Sequence, residues 1–348
     1  MSKKSNNEKV KKTAYDIIIQ DLKNKFGMNS IITPKDVELM DKYVVKKNVI
    51  PSGSFSFDRL TGVGGLPKGR IFLIYGNKGI GKTTTSLSLY INAAKQGYQL
   101  VFCDTEHRLD VSLLDAMGID RYDVDKFALS RSKWADEVFE TIYRLLQLGR
   151  PLFIIMDSIT ALRIRPSAKK KEDESTKDYL KGTRMGKTAA SLGEFLNDIS
   201  PLISSTQSIF IMISQERYKG IGRGMAYKSY TGGEAPGFYA TYIWYVKKEQ
   251  GGEIIKDNQI IGQELVWEFK KTTTSLPPNP RRIALHYGKG FYPEYELAKI
   301  GVQNKLIEVS GSWVTYKDVK KQGFMNFVTE LENNKKLFQE LKKDLNIK

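Results

Sequence analysis

The sequence predicts an α/β protein with buried strands in an open sheet, and three observations predict it. Arg70 to Tyr90, RIFLIYGNKGIGKTTTSLSLY, passes from an apolar strand-like run through a glycine loop into a helical pattern. Further apolar runs end in polar residues: Gln99 to Asp104, Leu152 to Asp157, and Ser208 to Ser214 followed by Gln215. Segments of helical periodicity, such as Trp134 to Leu148 and Leu192 to Ile203, separate these runs. In open α/β sheets the ends of such strands line the ligand crevice, so the polar tips are the first place to look for chemistry.

Taken in order, residues 1–12 are polar and charged and read as frayed. Ala14 to Phe26 carries Ile17, Ile18, Leu22 and Phe26 at amphipathic-helix spacing, and Gly27 is placed to end it. Ser30-Ile31-Ile32 is a short apolar strand candidate. This leading helix and strand, within residues 1–48, either fold back on their own core or reach a neighbouring subunit. Val49 to Gly69 is rich in glycine and proline and reads as turns entering the first core strand.

Gly76-Asn77-Lys78-Gly79-Ile80-Gly81-Lys82-Thr83 fits G-x-x-x-x-G-K-[ST] at every fixed position, and Thr84 adjoins it. Its chemistry is anion capture. Glycines let successive backbone N–H groups converge on one phosphate, and the helix start adds partial positive charge. Lys82 reaches the β- and γ-phosphates, and the Thr83 hydroxyl is suited to Mg²⁺. A glycine-rich turn without a ligand would explain the loop alone, but not the full match between strand and helix. After the second strand, Glu106 is a candidate to polarise an attacking water. Asp157, ending an apolar run, has the form of a Walker B carboxylate that holds the Mg²⁺ hydration shell beside Thr83.

Two segments lack core-forming residues. Residues 163–184 form a charged loop whose basic end includes Arg163, Arg165, Lys169 and Lys170. Tyr218 to Gly233, after Gln215, Glu216 and Arg217, mixes glycine with Arg223, Tyr227, Lys228 and Tyr230, a composition that suits stacking and charge contacts to a single strand. Tyr239 to Lys271 holds two strand-like runs joined by the polar GGEIIKDNQIIG, read as an antiparallel extension of the sheet. The proline corner SLPPNP precedes a mixed C-terminal part, of which 324–345 reads as one charged helix.

The net charge of +16 across 348 residues predicts attraction to a polyanion, nucleic acid first and an acidic membrane surface second. A single cysteine, Cys103, excludes an internal disulfide and a multi-cysteine metal site, and fits a reducing compartment. Two histidines are too few for a histidine-rich zinc site. No apolar run approaches a membrane span, and the basic N-terminus lacks the apolar region of a signal peptide, so a cytoplasmic place without a membrane partner is expected.

In sequence order, the leading helix, GSFSFD, LTGVGGLPKGRIFLIYG, the phosphate loop, DTEHRLD, FIIMDS, ISQER and TGG…FYAT resemble the bacterial RecA recombinases and their phage relatives. The similarity runs from about Lys23 to about Tyr316, and GGLPKGR and DTEH are more specific than the loop alone. The resemblance implies a RecA-like P-loop ATPase core at 49–288, doubly wound on a mostly parallel sheet, behind an oligomerisation arm at 1–48 and ahead of a small α+β domain at 289–348. It implies ATP and Mg²⁺ as cofactors. The implied partners are single- and double-stranded DNA and further copies of the chain. The implied activity is a helical filament on single-stranded DNA that hydrolyses ATP, pairs the strand with a homologous duplex and exchanges strands in recombination and repair. Glu106 matches the family's water-activating carboxylate, Asp110 an acidic residue near the adenine, and Gln215 the glutamine that senses the γ-phosphate. Residues 163–184 and 216–230 match the two DNA loops. Phe238 matches an interface aromatic, Ile31 lies in the arm that docks on the next protomer, and Lys271 matches the first of two lysines that reach the neighbour's ATP.

The chain departs from that pattern in places. Thr273 stands at the second lysine, Leu113 where a tyrosine stacks on adenine, and Gly224 where the second loop carries an aromatic. The sequence ends DLNIK without an acidic tail, from which weaker autoinhibition and stronger DNA affinity at low salt are expected. Two other activities use the same core: a hexameric helicase or branch-migration motor, and an ATP-gated DNA-binding scaffold without strand exchange.

Overall fold

The computed structural model describes residues 13–27, 31, 33, 36, 48–123, 125–165, 183–219, 227–272 and 280–347. The chain divides into two compact units, Met1–Asn48 and Val49–Lys348. In the first, α1 (Ala14–Phe26) opens with a reciprocal cap: Thr13 Oγ1 accepts the Asp16 N–H at 3.2 Å and the Asp16 carboxylate accepts the Thr13 N–H at 3.1 Å. Tyr15, Ile17, Ile18 and Phe26 are exposed on it. Ile31 sits in a bend, and the Ser30 and Ile32 of the expected strand lie outside the described residues.

The larger unit begins where only turns were expected, and contains more order than that. β1 (Val49–Ile50) pairs with β2 (Leu66–Pro67) around α2 (Phe55–Thr61). Ser54 caps α2 by accepting the Phe57 N–H at 3.1 Å, and the helix buries Phe57 and Leu60. The core then runs β3 (Arg70–Gly76), α3 (Lys82–Ala94), β4 (Gln99–Asp104), α4 (Ser112–Ala116), β5 (Phe127–Ser130), α5 (Ala135–Gln147), β6 (Leu152–Asp157), α6 (Thr183–Ser205) and β7 (Ile209–Gln215). After β7 come β8 (Arg217–Lys219), β9 (Tyr227–Ser229), α7 (Ala235–Tyr239), β10 (Tyr242–Lys256), β11 (Gln259–Thr272), β12 (Arg281–His286) and β13 (Gly290–Phe291). The C-terminal part is α8 (Pro293–Gln303), β14 (Glu308–Ser310), β15 (Trp313–Tyr316), β16 (Val319–Gln322), α9 (Phe324–Asn333) and α10 (Lys335–Asp344).

The main sheet has the order β13-β12-β11-β10-β3-β7-β6-β4-β5. Strands from β10 to β5 in that order are parallel, and β10 to β13 are antiparallel. Side chains alternate across it. Phe72, Ile74, Phe102 and Ile155 face α3, while Ile71, Leu73, Cys103 and Met156 face α5 and α6. The parallel register sets the site. Gly76 pairs with Gln215, Asp157 with Ile213 and Asp104 with Asp157, so four strands end side by side at one edge.

Two expectations change. The polar joint between the last long strands is itself strand: β10 and β11 continue to a turn at Asp257 and Asn258, both at positive φ. That matches the tight hairpin turn such residues favour. The single C-terminal helix is two helices, interrupted at Asn334, whose side chain accepts the Leu337 N–H at 3.0 Å and starts α10. Among the described residues, no helix is long and apolar enough to cross a membrane.

Candidate active site

The loop between β3 and α3 is built by close approach. Val246 of β10 pairs with Gly76, and a Cβ at Gly76 would collide with the Val246 carbonyl oxygen and with Ile80. Gly81 caps α3 at φ 88°, a conformation that excludes a side chain without strain. Gly76, Asn77, Lys78, Gly79, Ile80, Gly81, Lys82, Thr83 and Thr84 are therefore held in one tight loop and helix start. The Lys82 ammonium is turned into it, donating to Gly76 O at 3.0 Å and Asn77 O at 2.6 Å. Burial pushes its pKa down, against the pull of Asp157 and Glu106.

Thr83 Oγ1 donates to Asp157 Oδ2 at 2.5 Å, joining the helix start to the tip of β6. Burial pushes the Asp157 carboxyl up to about 6, against the Thr83 hydrogen bond. A hydroxyl and a carboxylate beside a phosphate loop are the oxygen donors that Mg²⁺ takes when phosphates and water supply the rest. Among the described residues there is no cluster of three or more His, Cys, Asp or Glu that would form an all-protein cage.

Glu106 follows β4 on a turn held by Asp104. The buried Asp104 carboxylate accepts the Arg108 N–H at 2.9 Å and the Leu109 N–H at 3.1 Å, and His107 turns the chain at φ 56°. Glu106 Oε1 accepts the Ser158 hydroxyl at 2.6 Å and the Gln215 amide at 2.9 Å. The tips of β4, β6 and β7 thus meet on one carboxylate. A cavity of about 450 Å³ runs over the loop; Glu106, Asp157 and Gln215 line it together with Leu109, Asp110 and Leu113. Asp110 is exposed, and its carboxylate accepts the Ser112 N–H at 2.9 Å. A phosphate loop, a hydroxyl–carboxylate pair and a tethered carboxylate in one cavity fit a nucleoside triphosphate with Mg²⁺.

A family model described as the RecA N-terminal domain matches residues 13–292. The chain belongs to the RecA family. Protein RecA of Thermotoga petrophila is 30% identical over 344 residues, covering 97% of this chain and 91% of that protein. Protein RecA of Nitratiruptor sp. is 28% identical over 338 residues, covering 96% and 93%. Protein RecA of Francisella philomiragia is 31% identical over 311 residues, covering 89% and 81%.

The residues matched to the RecA DNA loops divide by environment. Gln215 leads into the segment matched to the second loop: its amide is on Glu106, and its chain continues into β8, which pairs with β9 through Arg217 to Ser229 and Lys219 to Tyr227. Arg217 and Tyr227 are exposed on that ribbon. Lys228 points back to the core instead. Its ammonium donates to Tyr245 Oη at 3.0 Å and lies 3.2 Å from Glu216, while Tyr245 Oη donates to Glu216 at 3.0 Å. Those contacts, Tyr245 first, hold Lys228 well above the usual lysine range. Of the first loop, Arg163 donates to Leu162 O at 3.0 Å, and Arg165 is paired with Asp136 and Glu137 of α5. Lys169, Lys170, Arg223, Gly224 and Thr273 lie outside the described residues.

Phe238 of α7 is 76% exposed, edge-on to Tyr239. Lys271 donates to Gly237 O at 2.8 Å and Phe238 O at 2.9 Å, tying β11 to the turn that presents this ring. Sequence reasoning passed over Ser158, Asp104, Glu216 and Tyr245. Ser158 was within reach, one residue past Asp157. Tyr245 was not, since only the register of β10 on β3 brings it to the second loop.

Proposed function

We propose that this chain is an ATP-dependent DNA recombinase of the RecA type. It assembles as a helical filament on single-stranded DNA, pairs that strand with a homologous duplex and exchanges strands, in the cytoplasm. The observation that carries the reading is the link from Glu106 through the Gln215 amide into the β8–β9 ribbon, because it joins the hydrolytic carboxylate to a DNA loop.

In this reading residues 49–288 are the ATPase core, 1–48 the arm that docks on the next protomer, and 289–348 a small C-terminal domain. The exposed apolar side chains of α1 and the exposed Phe238 support subunit contacts, with Ile31 in the arm. ATP lies between protomers, on the loop from Gly76 to Thr84, with Asp110 at the base end. Thr83 and Asp157 hold Mg²⁺, which when bound offsets charge on the phosphates. Lys82 binds the β- and γ-phosphates, Glu106 orients the attacking water, and Gln215 reports the γ-phosphate. Lys271 approaches the neighbour's nucleotide across the Phe238 interface. With ATP bound, Gln215 biases the second loop toward DNA binding, and hydrolysis removes the bias. Arg163, Arg165, Lys169, Lys170, Arg217, Arg223 and Tyr227 face the DNA, while Lys228 braces the ribbon from within.

Strand exchange between circular single-stranded and linear duplex DNA, followed on gels with electron microscopy of the complexes, tests this. Joint molecules and helical filaments that require ATP are expected. Rings with unwinding activity would replace the reading with a motor. ATP-dependent DNA binding without joint molecules would replace it with a scaffold.

A further inference from the structure

Glu106 is engaged more heavily than its orientation requires. Ser158 and Gln215 already fix the carboxylate through Oε1. Oε2 has a partner of its own, the Arg108 guanidinium at 3.1 Å. Arg108 is on the same turn, and it lines the cavity with Lys82 and Thr83. Its backbone is anchored, since its N–H and that of Leu109 both donate to the buried Asp104 carboxylate. Its side chain is 57% exposed. The backbone is held by these bonds, and the charged head by the ion pair at the edge of the cavity.

The Arg108 side chain is more than half exposed while the Glu106 side chain is 16% exposed, so solvent screens the ion pair from one side only. A terminal phosphate carries more charge than a carboxylate and accepts the forked guanidinium equally well. Oε2 is also the acceptor that a water aligned by Glu106 would use, and Arg108 covers it. A cation that leaves Oε2 for the phosphate would therefore act twice.

We propose that Arg108 is a catalytic residue supplied within the same chain. When a nucleoside triphosphate binds, its guanidinium exchanges Glu106 Oε2 for the γ-phosphate, and the freed oxygen accepts the attacking water. The water oxygen then bonds to the γ-phosphorus, the bond to the bridging oxygen breaks, and ADP leaves with that electron pair. The water proton passes to Glu106 and on to solvent, and inorganic phosphate is the second product. Arg108 moves no proton; it stabilises charge on the transferring group. This rests on the hydrolytic reading given above.

The test compares the full-length protein with its Arg108→Ala and Arg108→Lys variants on single-stranded DNA. The quantities are kcat and KM for ATP, and the affinities for ADP with and without aluminium fluoride. For Arg108→Ala, kcat should fall ~10³-fold or more, within the ~10³–10⁵ associated with arginine fingers, while KM changes only a few-fold. Affinity for ADP with aluminium fluoride should fall alongside kcat, affinity for ADP alone should hold, and Arg108→Lys should recover part of both. A kcat that stays level or rises, or equal losses for both ligands, would overturn the proposal and leave the hydrolytic reading standing. A wild-type protein that turned over no ATP on DNA would overturn both.

Discussion

Gly76 and Glu106 show how far single atoms govern this site. At Gly76 the obstacle to a methyl group is backbone, the Val246 carbonyl, so the neighbour cannot rotate away. Gly76→Ala should destabilise the fold by about 1–3 kcal/mol, the usual cost of forcing extra volume into a packed site, and weaken nucleotide binding. Urea unfolding and a fluorescent ATP analogue would measure both; unchanged values would mean that β10 yields. Glu106→Gln keeps the shape of the side chain and removes its basicity. ATP and DNA affinities should hold while turnover drops ~10²–10⁴-fold, the span ascribed to general-base catalysis. Steady-state hydrolysis beside nucleotide binding checks it, and wild-type turnover would remove Glu106 from the mechanism. The loop, Glu106, Asp157 and Gln215 were legible in the sequence because each sits where an apolar run meets a polar tip. Arg108 and Ser158 stood next to them unread, since their roles depend on which oxygen of Glu106 they reach.

Between elements, the contacts that matter are long in sequence. Tyr245 on β10 braces the β8–β9 ribbon through Lys228 and Glu216. Tyr245→Phe removes one hydroxyl worth about 0.5–1.5 kcal/mol, so β8–β9 amides should exchange hydrogen ~2- to 10-fold faster while the core strands are unaffected. Equal exchange would show that the ribbon does not depend on this brace. A second joint lies between α2, β12 and α8. The buried Glu296 carboxyl accepts the Ser54 hydroxyl at 2.8 Å, the Ser56 N–H at 3.1 Å and the Ala284 N–H at 3.1 Å. Burial raises it from 4.5 to about 7. The folded state therefore binds the proton more tightly than the unfolded chain. Its contribution to stability is full below about pH 4.5 and is lost as pH rises through about 7. Asp58 and Asp157, both raised to about 6, act in the same direction. Unfolding free energies from urea titrations between pH 5 and 8 should fall less steeply in Glu296→Gln than in wild type, by on the order of 3 kcal/mol across the window. Identical slopes would contradict the assignment. Strands and helices of the core were legible from periodicity. The small α2, the full β10–β11 hairpin and the break at Asn334 were not, because a cap, a two-residue turn and tertiary burial decide them rather than an apolar repeat.

For the whole molecule, the net charge of +16 sets a background attraction to any polyanion. That background does not distinguish nucleotide states; in the proposed mechanism the Gln215 link to Glu106 does. Raising salt should therefore weaken DNA binding in every state, with a log–log slope of about −0.7 per phosphate neutralised on single strands. The nucleotide dependence should survive in the ratio between states. The most direct measurement is fluorescence anisotropy of a labelled single strand at one fixed salt concentration, with a non-hydrolysable ATP analogue, with ADP and with no nucleotide. Affinity should be at least ~10-fold higher with the analogue than in the other two conditions, a coupling of about 1.4 kcal/mol. Equal affinities in all three would contradict the claim that a nucleotide held at Lys82 governs the grip on DNA.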